Sequence, residues 1–422
     1  KNLKLKPLKS ILTFSPPYVG DEELEELRDT LSSGWLTAGP KTKRFEEALA
    51  KRLGCPEALA LSSCTAALHL GLKIMGLNED QAAITSPLSF VSTCHALLYN
   101  GARPFFADVS ADTGNLDPDK VREFLESQCE INKFGRAIHK KTSLKITALL
   151  PVHYGGHPCD LEGLWRICQQ YNLGMLEDAA HAMGTTFKDL PVGHPKQKPN
   201  TAEPLPSMVA FSFYATKNLA AGEGGALVGL PAFLKRARVL SAYGISDARR
   251  IWERYSKKGT WRYDVEELGY KYNFTDIQAS LALAQLAKFD EMARMRKERV
   301  KIWNSFLAPL AGNLVELPVE RAGCGHAWHL YPLKIKKKAL LVDRNQIIDD
   351  LRALRIGTSV MFTPIHYFKF YRSKLHYRPH SFPIAEDFAL REISLPISPA
   401  HSLKDIEQAA ELTKNYLESR AK

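Results

Sequence analysis

The sequence predicts an α/β fold with a large, mostly parallel sheet and a smaller C-terminal α+β unit. Three observations carry that prediction. Short apolar runs with β-branched content recur at 58–61, 83–85, 103–107, 147–152, 174–177, 208–213 and 225–228, and stretches of helical periodicity separate them. The chain has 422 residues, beyond the roughly 250–300 at which a single core stops growing, so a second unit is expected. Composition is that of an ordinary globular protein, with 45% apolar and 24% charged residues.

In chain order, the first helical pattern is 21–33, expected to pack on the smaller unit. The region from about 40 to 290 is the α/β domain, and no internal repeat interrupts it. From Tyr272 a segment with Thr275 or Asp276 as N-cap opens one long helix ending near Leu307, which would connect the two units. A strand at 329–335, a helix at 342–354 and a closing helix at 402–417 begun by Ser402 complete the smaller unit. The expected division is 1–290 and 291–422. Two stretches read as loops. Segment 194–206 is rich in proline and polar residues, whereas 249–262 is basic and aromatic by turns and reads equally as a substrate lid or an exposed loop.

Several function classes are excluded. No run of about 18 apolar residues is present to span a bilayer, and the basic start is not followed by an apolar stretch. No membrane partner is expected, and the expected location is the cytoplasm. The seven cysteines, at 55, 64, 94, 129, 159, 168 and 324, form no C-x-x-C pair and are read as reduced thiols, with no metal or cluster site. A net charge of +11 favours an anionic partner. The basic residues are spread along the chain, their densest clusters at 294–301 and 334–338 read as solvated faces, and no helix-turn-helix segment is evident, so nucleic acid is not expected.

The chemistry lies in three places. Asp178 follows an apolar strand, at the C-terminal end where open α/β sheets hold ligands, although alone it reads as readily as a helix N-cap. Lys217 sits in Phe211-Ser212-Phe213-Tyr214-Ala215-Thr216-Lys217-Asn218, ahead of Gly222-Glu223-Gly224-Gly225. A lysine among small and aromatic residues is desolvated, which lowers its pKa and suits it to a Schiff base. An aspartate that keeps a pyridine nitrogen protonated completes the electron sink of pyridoxal phosphate (PLP) chemistry, so each residue gives the other its meaning. Residues 59–70 read as a strand, a turn of small hydroxylated residues and a helix, whose first N–H groups and Thr65 hydroxyl suit a phosphate as well as they suit an ordinary cap.

These elements, in this order, resemble the DegT/DnrJ/EryC1/StrS family of PLP-dependent nucleotide-sugar aminotransferases. The resemblance spans nearly the whole chain: Gly34-Trp35-Leu36-Thr37-Ala38-Gly39-Pro40, then Thr85-Ser86-Pro87-Leu88-Ser89-Phe90-Val91-Ser92-Thr93, His153-Tyr154-Gly155-Gly156, Asn273-Phe274-Thr275-Asp276, His329-Leu330-Tyr331 and Ser394-Leu395-Pro396. It implies the aspartate-aminotransferase-like fold type I. Lys217 is then the Schiff-base lysine and Asp178 the partner of the ring nitrogen, with His181 near the phenolic oxygen or ring. Phe90 takes the place of the aromatic that stacks on the pyridine, a position where a core phenylalanine reads equally well. Cys64, Thr65, Ala66 and Ser212 fall on phosphate-binding positions, and Asn273 matches an asparagine delivered by the partner subunit, which implies a homodimer with active sites at its interface. The implied reaction moves an amino group from L-glutamate, leaving 2-oxoglutarate, to a nucleotide-linked keto-sugar. Two rivals are weighed. A PLP- or PMP-dependent sugar dehydratase would usually replace the lysine with histidine, and a non-catalytic PLP-binding regulator would not need an intact Lys217 and Asp178.

Overall fold

The computed structural model describes residues 5–195, 205–245 and 263–422. Its centre is a sheet in the order Ala58–Leu61, Gly225–Gly229, Ser207–Ser212, Gly174–Ala179, Lys145–Leu150, Gln81–Thr85, Arg103–Phe106. All neighbours from Ser207–Ser212 to Arg103–Phe106 are parallel, and Gly225–Gly229 runs antiparallel to both strands it joins. Two short strands, Cys129–Ile131 and Ala137–His139, extend the sheet beside Lys145–Leu150. Every residue of Gly174–Ala179 and Ser207–Ser212 is buried. Successive side chains point to opposite faces, so Met208 and Ala210 pack into one core and Val209 and Phe211 into another. Burial on both faces is why these strands read in the sequence as continuous apolar runs.

A second core forms around Trp303, Tyr331, Ile335, Ile406 and Leu417. It holds the antiparallel sheet Val315–Glu316, Tyr331–Ile335, Glu392–Leu395 and the helices Arg344–Ala353 and Leu403–Ser419. Ser402 caps the last helix, as expected, by accepting the Asp405 N–H at 3.1 Å.

Two expectations need correction. The long helix is two helices, Asp276–Ala287 and Phe289–Leu307, meeting at Lys288. Thr275 caps the first through a reciprocal box with Gln278, whereas the carboxylate of Asp276 caps a different helix, Pro40–Leu53. It accepts the N–H groups of Gly39, Lys41 and Thr42 at 2.8, 3.0 and 2.9 Å, in place of the side chain that the N-cap Gly39 lacks. The N-terminal helix Asp21–Ser33 packs chiefly on Asp276–Ala287 rather than on the C-terminal unit. Gln285 Nε2 donates to Glu23 Oε1 at 2.7 Å and Lys288 pairs with Glu23 at 2.8 Å, fixing it there. The extended segment before it joins the C-terminal core instead, through Leu8 and Leu12. The expected loop at 249–262, and 196–204 of the one at 194–206, lie outside the described residues. Among the described residues no helix is long and apolar enough to cross a membrane, and no cluster of metal-ligating side chains occurs.

Candidate active site

Strands Gly174–Ala179 and Ser207–Ser212 are parallel neighbours, with Asp178 opposite Ala210. The chain leaving the second strand turns through 213–224. Phe213 N–H to Gly224 O and Ala221 N–H to Phe213 O, both at 2.8 Å, close that turn. Helix Cys64–Ile74 starts beside it, capped by Ser63 Oγ, which accepts the Ala66 N–H at 3.1 Å. The three segments meet at a cavity of about 650 Å³ whose lining includes Thr65, Phe90, Asp178, His181, Ser212 and Lys217. A larger groove of about 1110 Å³, between the helices Asp21–Ser33, Pro40–Leu53 and Asp276–Ala287, is lined by charged and apolar groups alike and does not reach these residues.

The helix start is shaped to hold an anion. Strand residue Gly225 pairs with both Leu61 and Ser212, and a Cβ there would lie 2.4 Å from Cys64 N. Only glycine lets the strand approach the helix terminus so closely. The N–H groups of Cys64 and Thr65, and the Thr65 hydroxyl, have no hydrogen-bond partner among the described residues. Ala66 is not among these free donors, because its N–H is committed to Ser63. Ser212 Oγ accepts the Tyr214 N–H at 3.4 Å, which leaves its own hydrogen for the cavity. Two backbone donors at a helix N-terminus and two hydroxyls are the donor set a dianionic phosphate needs.

Charge at the inner end is set by burial. Desolvation brings the Lys217 ammonium down to about 8, while the neighbouring Cys64 and Asp178 oppose that fall. The buried Cys64 thiol is itself pushed well above its ordinary value and stays neutral, so Asp178 is the charged neighbour. Burial raises Asp178 above the usual carboxylate range, and hydrogen bonds from Thr93 and Ala180 and the charge of Lys217 work against that. Thr93 Oγ1 donates to Oδ2 at 2.7 Å and the Ala180 N–H to Oδ1 at 3.1 Å. Burial, with Lys217 nearby, holds His181 well below its ordinary value, hence neutral. Its Nδ1 accepts the Gly155 N–H at 3.2 Å, so its proton sits on Nε2.

Phe90 is 59% exposed beside the cavity, which rules out the core reading. Asn273 is not brought to this cavity: it lines a separate recess, and its Nδ2 donates to Phe274 O at 3.3 Å.

Sequence reasoning missed four contributors. His329 lines the cavity, its ring 4.3 Å from that of His181. Asn218 donates to Ala327 O at 2.8 Å, so its Oδ1 faces His329 Nδ1 at 3.3 Å as acceptor. His329 is therefore protonated at Nδ1, and burial keeps it neutral. Thr93 holds Asp178. Phe362 stacks near His181 with centroids 5.7 Å apart, on a segment fixed by the Met361 N–H to Glu392 Oε2 at 2.9 Å. His329 and Thr93 stood inside motifs that carried the resemblance, but nothing local marked them as site residues.

Comparison with known proteins bears on the same cavity. The profile of the DegT/DnrJ/EryC1/StrS aminotransferase family matches residues 17–413. The spore coat polysaccharide biosynthesis protein SpsC of Bacillus subtilis is 38% identical over 408 residues, 96% of this chain and 97% of that protein. Among solved structures, Spr1654 from Streptococcus pneumoniae in its PMP-form has a TM-score of 0.82 at 28% identity, covering 97% of this chain and 99% of that one. The same protein is also known in a PLP-form. DesI, solved in the presence of its TDP-sugar product, has a TM-score of 0.79 at 27% identity, covering 97% and 93%. The phosphate donor set, the lysine and the acid all suit PLP, and the fold is the PLP-dependent fold type I. This chain belongs to the DegT/DnrJ/EryC1/StrS aminotransferase family and is a PLP-dependent aminotransferase.

Proposed function

We propose that the protein transfers an amino group from L-glutamate to a keto-sugar linked to a nucleotide, in the biosynthesis of an amino sugar or polysaccharide. The observation that carries the reading is the lysine, in the turn that follows one strand, and the buried carboxylate near the end of the parallel neighbour, both lining one cavity with a phosphate cradle at its edge. When bound, PLP supplies an aldehyde that exchanges amines and a ring that takes up an electron pair. The chain's own groups do the rest. The free N–H groups of Cys64 and Thr65 and the hydroxyls of Thr65 and Ser212 bind phosphate, and Phe90 covers the ring face. Asp178 holds a proton at the ring nitrogen, and the Nε2–H of His181 donates toward the phenolic oxygen. Lys217, with an amine near 8, takes a proton from the donor carbon in one half-reaction and returns one to the former carbonyl carbon in the other.

The sugar half of the reading is supported by SpsC, a polysaccharide biosynthesis protein, and by DesI with its TDP-sugar product. A net charge of +11 suits an anionic nucleotide handle. Asn273, turned away from its own cavity, serves the site of a partner copy in a homodimer with active sites at the interface. The division at 290/291, with the first part holding the cofactor, and a cytoplasmic location belong to the same proposal. The test is to add glutamate to the purified protein and follow its visible spectrum, then to add a panel of nucleotide keto-sugars. Bleaching of the yellow band by glutamate, and its return with one of the keto-sugars, is the expected result. Bleaching by glutamate with no recovery from any keto-sugar would count against the acceptor.

A further inference from the structure

Asp178 does not stand alone beneath the cavity. Ser89 Oγ lies 2.7 Å from Thr93 Oγ1, and Thr93 Oγ1 lies 2.7 Å from Asp178 Oδ2. All three are buried, with 2%, 0% and 3% exposure. Ser89 lines the cavity, and Thr93 stands in the first turn of helix Val91–Tyr99. Each hydroxyl has one hydrogen, so the direction of the chain can be counted. With Asp178 ionised, Thr93 spends its hydrogen on Oδ2. The contact between the two hydroxyls must then be donated by Ser89, which presents only lone pairs to the cavity. Were Asp178 protonated at Oδ2, the carboxyl would donate to Thr93 and both hydroxyls would turn round. The other oxygen, Oδ1, already accepts the Ala180 N–H at 3.1 Å.

We infer that Ser89 and Thr93 are positioning residues, a one-way donor chain that keeps Asp178 ionised and aimed at the ring nitrogen of the cofactor. This rests on the proposed role of Asp178. Burial works to neutralise that carboxyl, and hydrogen bonds to the charged form are what oppose it. A hydrogen bond to a charged group, once lost, raises the proton affinity of the acceptor by about one to two pH units. Asp178 also faces Lys217, which meets both PLP and a cofactor without the ring nitrogen, so only the part of the effect that acts at that nitrogen distinguishes the two compounds.

The experiment measures binding of two compounds to the cofactor-free protein by equilibrium dialysis: PLP, and its 1-deaza analogue, in which carbon replaces the ring nitrogen. Thr93→Val is expected to weaken PLP roughly tenfold or more while leaving the analogue near its wild-type affinity. Thr93→Ser should restore PLP binding, and Ser89→Ala should show a smaller loss of the same selectivity. Equal loss of both compounds in Thr93→Val, or no loss of either, overturns the inference. Asp178→Asn is the reference. If it separates the two compounds and Thr93→Val does not, the donor chain alone is refuted. If Asp178→Asn fails to separate them, the role of Asp178 falls, and the inference with it.

Discussion

The floor of the cavity and its wall are built by different means. On the floor, Asp178, His181 and His329 each have a hydrogen bond that fixes a charge or a tautomer: 2.7 and 3.1 Å to Asp178, 3.2 Å to His181 and 3.3 Å to His329. Asp178 and His181 stand on or just after a buried strand of the central sheet, and His329 precedes the strand Tyr331–Ile335 of the C-terminal unit. The wall is aromatic and open, with Phe90 59% and Tyr214 46% exposed and Phe362 6.1 Å from Phe90. Apart from the Tyr214 hydroxyl, its side chains offer surface rather than directed donors. On the proposed function, the buried floor sets the proton chemistry, while the open wall beyond Phe90 selects what is aminated.

Variants on the two sides should therefore fail in different ways. The largest effect is expected from Lys217→Ala, which removes the group proposed to move the proton in both half-reactions. Single-turnover rates with glutamate and with the keto-sugar should each fall about a thousandfold or more. Asp178→Asn removes the charge proposed to hold the ring nitrogen protonated and should lower both rates on the order of a hundredfold, measured the same way. A loss confined to one half-reaction in either variant would break the idea of a shared floor.

The third effect is on stability. Lys217 titrates near 8 in the fold against its ordinary 10.5, so between those values the unfolded chain binds more protons and stability rises with pH. Below 8 the fold carries the full cost of a buried ammonium, about 3 kcal/mol at 1.36 kcal/mol per unit. Cofactor-free Lys217→Met should be more stable than wild type by about that amount at pH 7, and the gap should close toward pH 10.5. Urea unfolding at several pH values checks this. The smallest effect belongs to the wall: Phe362→Ala should raise the KM for the keto-sugar up to about tenfold and leave the glutamate half-reaction unchanged. A change in the glutamate half-reaction would move Phe362 from wall to floor.

The same contrast describes what could be read in the sequence. The floor was legible where it borders the sheet, because strands buried on both faces leave continuous apolar runs, and Asp178 lies near the end of one such strand and Lys217 in the turn after another. Thr93 was not, since its partner lies 85 positions away and only the fold brings the two hydroxyls beneath the acid. The break at Lys288 was hidden because that residue continues the helical periodicity, and what marks it are ion pairs with Glu22 and Glu23, more than 260 positions back. The seat of the N-terminal helix was hidden for the same reason. The wall at 359–362 lacks any periodic signal. Its place comes from Glu392, and from Tyr154, whose hydroxyl donates to Met361 O.

The central claim is that Lys217 carries the cofactor, and reduction of the holoprotein with borohydride followed by peptide mapping tests it most directly. The account predicts one pyridoxyl label, on Lys217, in the peptide that runs through Tyr214 and Asn218. A label on any other lysine, or a reduced protein without one, would contradict it.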